Sequence, residues 1–170
     1  MYKHQVDIQF TSPTTPTALA AVRELMREYA RSLDVDLCFQ DFERELAGLP
    51  GDYAPPGGLL LLAHVDGELA GCGAFRPLAN SEHLAACEMK RLYLRPDFRG
   101  LQLGRRLAQA LVQRAREAGY ASMLLDTLSD MKAARGLYAE LGFRPVPPYY
   151  DNPLPGVLYM KLDLGPAVAT

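Results

Sequence analysis

No tryptophan occurs in this chain of 170 residues, and it holds only three cysteines and three histidines. Cys38, Cys72 and Cys87 are an odd number with no close spacing, which argues against a disulfide framework. His4, His64 and His83 are equally scattered, so the paired spacings of a zinc site are missing and no metal is expected. Charge of one sign is scarce as well. Eighteen Lys and Arg face twenty Asp and Glu, a net of −2, and nothing in that balance suits nucleic acid. No apolar run reaches the roughly 18 residues of a membrane span; the longest, GGLLLLAHV, meets His64 and Asp66. The opening MYKHQVDIQF alternates polar and apolar residues like a strand and lacks the apolar block of a signal peptide. A cytoplasmic protein without membrane contact is the expectation.

What is present is an ordinary globular composition, 49% hydrophobic and 22% charged, in a chain long enough for one self-sufficient core. Val6–Phe10 reads as a strand. Thr17–Leu33 carries apolar residues at helical spacing after a proline-rich approach, and Gln40–Leu49 fits a second helix. Leu59–Val65 and Leu69–Pro77 flank Asp66-Gly67, a hairpin signal because both central positions of that turn need positive φ. Leu84–Leu94 is a long strand ended by Pro96, and Gly104–Ala118 is an amphipathic helix stopped by Gly119. A buried strand over Ala121–Thr127, a helix over Asp130–Leu141 and strands over Phe143–Val146 and Val157–Leu164 complete the pattern. One α/β domain over residues 1–164 is expected, with residues 165–170 a frayed tail.

Residues 95–107 read RPDFRGLQLGRRL, four arginines and two glycines around the start of a helix. The first-turn N–H groups of a helix have no intrahelical partners, and the macrodipole adds partial positive charge there. A glycine-bearing loop running into that terminus lets a phosphate approach the backbone closely. Local charge agrees: residues 88–116 hold eight Lys and Arg against two Asp and Glu, +6 by difference. The spacing matches neither a P-loop nor GxGxxG. A turn before an exposed basic helix gives the same count, so on these residues alone both readings stand.

The order of parts is more specific. Strand EMKRLYLRP, loop RGLQLG, a helix, strand MLLDTL and a helix ending LYAELGF together resemble the GNAT superfamily of acyl-CoA-dependent N-acyltransferases. The family loop reads Arg/Gln-x-x-Gly-x-Gly/Ala; Arg99 and Gly104 match it, and Gln102 replaces the middle glycine. The resemblance covers about Glu88 to Phe143. It implies a single-domain α/β GNAT-like fold, a central mixed, mostly antiparallel twisted sheet of about seven strands flanked by about four helices. It also implies acetyl-CoA as donor, with its pyrophosphate against Arg99, Gly100, Leu101, Gln102, Leu103, Gly104 and Arg105. In the family the strand before the loop splays from its neighbour, so the backbone of Leu92, Tyr93 and Leu94 would pair with the pantetheine arm and thioester. An N–H aimed at the thioester oxygen also stabilises the tetrahedral oxyanion, by roughly 2.7–4 kcal/mol per donor.

Two side chains carry candidate roles by the same resemblance. Tyr138, in GLYAELGF, matches the tyrosine near the CoA sulfur, and a phenol of ordinary pKa near 10 can protonate the leaving thiolate. Met131 stands seven residues before it, where the family has an Asn along the pantetheine. Glu88, four residues before Leu92, holds the place of a general base in some members. An acceptor ammonium must lose a proton before it attacks, and a carboxylate of ordinary pKa near 4.3 must be raised by burial or act through water. An ion pair with Lys90 or Arg91 is the alternative role for Glu88.

The acceptor side is less defined. Residues 34–52 hold six acidic residues and one basic, and PPYYDNPLPG places Tyr149, Tyr150, Asp151 and Asn152 between stiffening prolines. Acidic and aromatic groups together suit an ammonium ion, although a solvated acidic helix explains the charge equally. The expected acceptor is a small cationic amine or an amino-acid-like molecule. No Ser-His-Asp order, Gly-x-Ser-x-Gly or Cys-His pair supports an acyl-enzyme, so transfer would be direct. Fold alone does not fix function, and a catalytically silent CoA-binding sensor or docking module is the alternative. The resemblance further implies a homodimer.

Overall fold

The run LLLLAHV forms a strand covered on both faces. It is β2 (Leu59–Val65) of a seven-stranded sheet, seen here in a computed structural model that describes residues 5–33, 41–79 and 82–165. Leu59 and Leu61 enter one hydrophobic layer and Leu60 and Leu62 the other, as the two-residue period of a strand requires. Before β2 come β1 (Ile8–Thr11), α1 (Pro16–Ser32) and α2 (Phe42–Ala47). After it come β3 (Glu68–Pro77), β4 (Ala86–Leu94), α3 (Leu103–Glu117) and β5 (Ser122–Leu128). Helix α4 (Lys132–Glu140), β6 (Arg144–Val146) and β7 (Val157–Asp163) close the chain.

The strand order is β1-β2-β3-β4-β5-β7-β6, antiparallel throughout except for the parallel pair β4–β5. This is the mixed, mostly antiparallel sheet with four helices that the sequence led one to expect. On one face α3 buries Leu107, Ala108, Leu111 and Ala115 against Phe75, Met89, Met123 and Leu125. On the other, Val22, Leu25 and Met26 of α1 and Phe42 and Leu46 of α2 pack on Leu60, Leu62, Ala74 and Tyr93. Each such leucine contributes about 1.5–3 kcal/mol by leaving water.

Local signals account for most boundaries. Thr15 caps α1 by accepting from the Ala18 N–H at 3.1 Å, with Pro16 in the first turn. Asp66 and Gly67 have φ of 49° and 82°, the positive pair that a tight hairpin demands. β4 begins two residues later than expected because Ala85 has φ of 50° and breaks the extended run, leaving Leu84 85% exposed. The expected frayed tail, apart from residue 165, lies outside the described residues, as do His4, Cys38 and residues 34–40 of the acidic segment. No helix among the described residues is long and apolar enough to cross a membrane.

One irregularity positions the site. β4 and β5 pair only at Ala86–Ser122, Cys87–Met123 and Glu88–Leu124, yet β4 continues to Leu94 and β5 to Leu128.

Candidate active site

Beyond Glu88 and Leu124 the two strands part, and a cleft opens between them. Met89, Lys90, Arg91 and Leu92 line one wall and Leu125–Leu128 the other; Met131 and Tyr138 of the α4 segment also face it. Backbone groups on the β5 side of β4 have no strand partner there, so the cleft offers N–H and C=O groups to an extended ligand. Leu92, Met131 and Tyr138 thus line one cleft. Tyr138 is 8% exposed and packs its ring on Phe143 at 5.7 Å. Burial pushes its hydroxyl well above the ordinary tyrosine range, so it stays a proton donor.

β4 also carries a bulge. Cys72 faces Tyr93 and Ala74 faces Lys90, so Gly73 alone stands opposite Arg91 and Leu92. Arg91 takes φ of 60°, a conformation that costs a non-glycine residue about 1–3 kcal/mol and needs support from its surroundings. Glu45 of α2 supplies that support. It accepts from Arg91 Nε at 3.0 Å and Nη2 at 3.3 Å, while the guanidinium lies over the Phe42 ring at 5.1 Å. Gly73 leaves room for two leucines: a Cβ there would meet Leu111 Cδ1 at 2.8 Å and Leu92 Cδ1 at 3.2 Å, and those side-chain ends would have to shift.

At the far end of β4, the chain passes through a 3-10 turn at Pro96–Phe98 into Arg99–Gly104. Gly100 has φ of 96° and Gln102 φ of 55°; Gln102 precedes α3 in the left-handed conformation with no side-chain cap. The position that departs from the family's glycine is therefore one whose backbone favours glycine. Leu103 is 1% exposed and anchors the turn, while Leu101 and Gln102 are exposed. No acidic residue occupies the first turn of α3, which leaves its N–H groups and positive end for an anion. Arg99 folds back instead, donating from Nη2 to the Leu94 carbonyl at 3.1 Å and from Nε at 3.3 Å. Arg105 pairs with Glu140 at 2.9 Å, and its buried Nε, like that of Arg135 in α4, has no hydrogen-bond partner among the described residues. The uncapped N–H groups at the start of α3 fit a phosphorylated ligand.

A second cavity opens on the other side of Lys90, lined by Asp52, Arg76, Glu88, Tyr149, Tyr150 and Asp151. Glu88, only 2% exposed, has both oxygens engaged. Oε1 accepts from Arg76 Nε at 3.2 Å and Oε2 from the Tyr149 hydroxyl at 2.6 Å. Its ionic partner is thus Arg76, directly opposite on β3, and not the Lys90 or Arg91 weighed from the sequence. Asp126 of β5 accepts from the Tyr150 hydroxyl and from Asn152 Nδ2 at 3.2 Å, and its Oδ1 lies 3.9 Å from Lys90 Nζ. Tyr149, Tyr150 and Tyr159 pack as three rings with centroids 5.3–5.6 Å apart. Burial first, and then Glu88 and Asp126, raise the Tyr149 and Tyr150 hydroxyls far above their usual range. Asn152 faces the cleft between β4 and β5, apart from Asp151. The acidic segment divides: Glu45 is spent on Arg91, Glu43 lies 3.7 Å from Arg27, and Asp52 reaches the second cavity.

Sequence reasoning missed Arg76, Asp126, the Glu45–Arg91 pair and the position of Lys90 between the two cavities. A signal existed for two strands: Glu88, Lys90 and Arg91 crowd a strand with apolar flanks, and Asp126 interrupts the apolar MLLDTL. Charges in such strands are buried and must find one another. Among the described residues, no group of three His, Cys, Asp or Glu could hold a metal ion.

Comparison with known proteins bears on the family and the fold. The Acetyltransferase (GNAT) family matches residues 19–143. An uncharacterized N-acetyltransferase of Schizosaccharomyces pombe is 40% identical over 159 residues, covering 93% of this chain and 96% of that protein. A GNAT-family acetyltransferase of Staphylococcus aureus superposes with a TM-score of 0.75 at 17% identity, over 93% of this chain and 99% of its own. A Salmonella typhimurium acetyltransferase, solved with its cofactor acetyl-CoA, gives 0.65 at 22% identity and 96% coverage of both chains. These last two share the fold.

Proposed function

This chain belongs to the GNAT family of N-acetyltransferases, and from that premise we propose that it transfers the acetyl group of acetyl-CoA directly to the primary amine of a small molecule. The observation that carries the reading is the parting of β4 and β5 after Glu88 and Leu124. It leaves an unpaired strand edge that runs on to the uncapped start of α3, with a separate polar cavity behind it.

The chemistry follows from the groups along that path. The pyrophosphate rests on the N–H groups of the Gly100–Gly104 loop, and the β4 backbone from Leu92 to Leu94 aligns the pantetheine arm. The acceptor approaches from the cavity of Tyr149, Tyr150 and Asp151. Its amine proton passes to the Tyr149 oxygen as the Tyr149 proton moves to Glu88 Oε2, the contact already made at 2.6 Å. The C–N bond forms and the carbonyl oxygen becomes an oxyanion near the bulged β4 backbone; the C–S bond breaks as Tyr138 protonates the sulfur, the second proton of the added nitrogen restores the Tyr138 hydroxyl, and Glu88 returns its proton to solvent. Asp52 and Asp151, both exposed at the cavity, and the tyrosine rings favour a cationic amine.

Thermal unfolding with and without acetyl-CoA tests the donor half. At about one hundred times the dissociation constant the native state gains roughly 2.7 kcal/mol, a rise of about 5–11 °C at this chain length. A screen of primary amines that follows CoA release tests the acceptor half. No thermal shift at any donor concentration would sink the reading; turnover with neutral amines only would remove the cationic acceptor.

A further inference from the structure

Transfer requires the acetyl carbonyl to sit where the donor cleft meets the acceptor cavity. Among the described residues, Lys90 is common to the linings of both. Its side chain is 4% exposed, and its ammonium makes no hydrogen bond to another described residue. Its ion-pair partner, Asp126 Oδ1, stands off at 3.9 Å, while Asp126 Oδ2 is taken by Tyr150 and Asn152. A buried cation with unspent donors, aimed into the junction of two cavities, calls for an anionic or strongly polar partner.

We propose that the Lys90 ammonium donates a hydrogen bond to the acetyl carbonyl oxygen and stabilises the tetrahedral oxyanion, as a side-chain donor beside the β4 backbone. This rests on the acetyl-transfer reading above. No covalent bond to Lys90 forms. As the amine adds, the C=O electron pair moves onto oxygen and the hydrogen bond shortens; as the C–S bond breaks, the pair returns and the hydrogen bond relaxes. The gain is selective for the transition state, because the ground-state carbonyl is only weakly polar whereas the oxyanion carries full charge in a site of low dielectric. Burial lowers the Lys90 pKa, Arg91 of β4 and Arg76 of β3 add to the lowering, and Asp126 of β5 and Glu88 of β4 oppose it. Tyr150 faces it across the second cavity, and Tyr29 of α1 lines the donor cleft with it. Activity that needs this proton is therefore lost on the alkaline side.

The experiment compares wild type with Lys90→Met, Lys90→Gln and Lys90→Arg. Rates are followed by CoA release, from hydrolysis of acetyl-CoA and from transfer to an amine acceptor. Binding of CoA and of S-carboxymethyl-CoA, which carries a carboxylate one carbon beyond the thioester carbonyl position and so within reach of the same donor, is measured by calorimetry. Lys90→Met and Lys90→Gln are expected to bind CoA within about threefold of wild type and to lose about 100- to 1,000-fold in kcat. They should also lose the wild-type preference for S-carboxymethyl-CoA over CoA. In Lys90→Arg, whose guanidinium stays charged, the alkaline limb of the rate profile moves upward. A Lys90→Met variant that keeps both the rate and the anion preference overturns the proposal. So does loss of the acidic limb, which would make Lys90 a proton acceptor. Failure of wild type to bind CoA at all refutes the acetyl-transfer reading itself and takes this inference with it.

Discussion

Glu45 in α2 and Arg91 in β4, 46 residues apart in sequence, are joined by two hydrogen bonds of 3.0 and 3.3 Å. The pair fastens the helix on one face of the sheet to the residue whose left-handed backbone makes the bulge. Tyr53 adds a third tie, its hydroxyl donating to Glu45 Oε1 at 3.1 Å. The conformation of β4 beside the cleft is thus held from outside the strand.

Removing the acid should be costly. Glu45→Ala leaves a guanidinium that is 4% exposed without its partner, and breaking such a pair costs about 3–5 kcal/mol. Urea denaturation should show that loss, and the double variant Glu45→Met/Arg91→Met should recover part of it, because a buried ion pair is often replaceable by apolar groups of similar volume.

Gln102 tests the phosphate loop. Its φ of 55° disfavours any residue with a Cβ, so Gln102→Gly relieves about 1–2 kcal/mol of backbone strain and loses about 0.5–1 kcal/mol to added freedom of the unfolded chain. A small rise in the denaturation midpoint is expected, with acetyl-CoA affinity retained because the backbone N–H is unchanged. Gln102→Val, branched at Cβ, should lower the midpoint instead.

Tyr138→Phe removes the proposed acid and keeps the ring that packs on Phe143. Loss of a general acid lowers kcat by about 100- to 10,000-fold, and CoA affinity by calorimetry should be unchanged. A wild-type protein that binds CoA and releases none from acetyl-CoA with any amine would instead be a sensor or docking module.

Alkaline pH should destabilise the fold. Burial raises Cys72 and Cys87 from 9.0 to about 12, and Tyr29, also mainly by burial, from 10.0 to about 12. These groups ionise earlier in the unfolded chain than in the folded one, so their contribution is complete below pH 9 and is lost as the pH rises toward 12. Each contributes a slope of up to about 1.4 kcal/mol per pH unit, read as a fall in the urea midpoint between pH 8 and 10.5.

The local parts of the fold were legible because their causes are local. Asp66-Gly67 makes its own turn, Thr15 and Pro16 start α1, and the apolar spacing of α3 follows from a face that must be buried. The loop at Arg99–Gly104 and the tyrosine of α4 were singled out by the family resemblance of the segments that hold them, since their spacing alone left a plain turn and a core tyrosine open. The polar centre was not. Arg76 meets Glu88 because β3 and β4 pair in a register that a bulge shifts, and Glu45 meets Arg91 because α2 packs across the sheet. Those partners are set by tertiary register, which single-chain periodicity does not carry, and so the ion pair weighed as the alternative role for Glu88 named Lys90 or Arg91 in place of Arg76.

Three residue pairs join β4 to β5, and beyond them the sheet has a seam. A donor arm carrying amides would enter that seam as an extra strand does, completing the ladder with hydrogen bonds of the ordinary sheet kind. Amide exchange along Met89–Leu94 and Leu125–Leu128 should therefore slow when the arm is in place. The same bonds must be broken to let the spent thiol leave, so each catalytic cycle would end by unzipping one strand's worth of sheet, a step that can set the turnover number once the chemistry is fast.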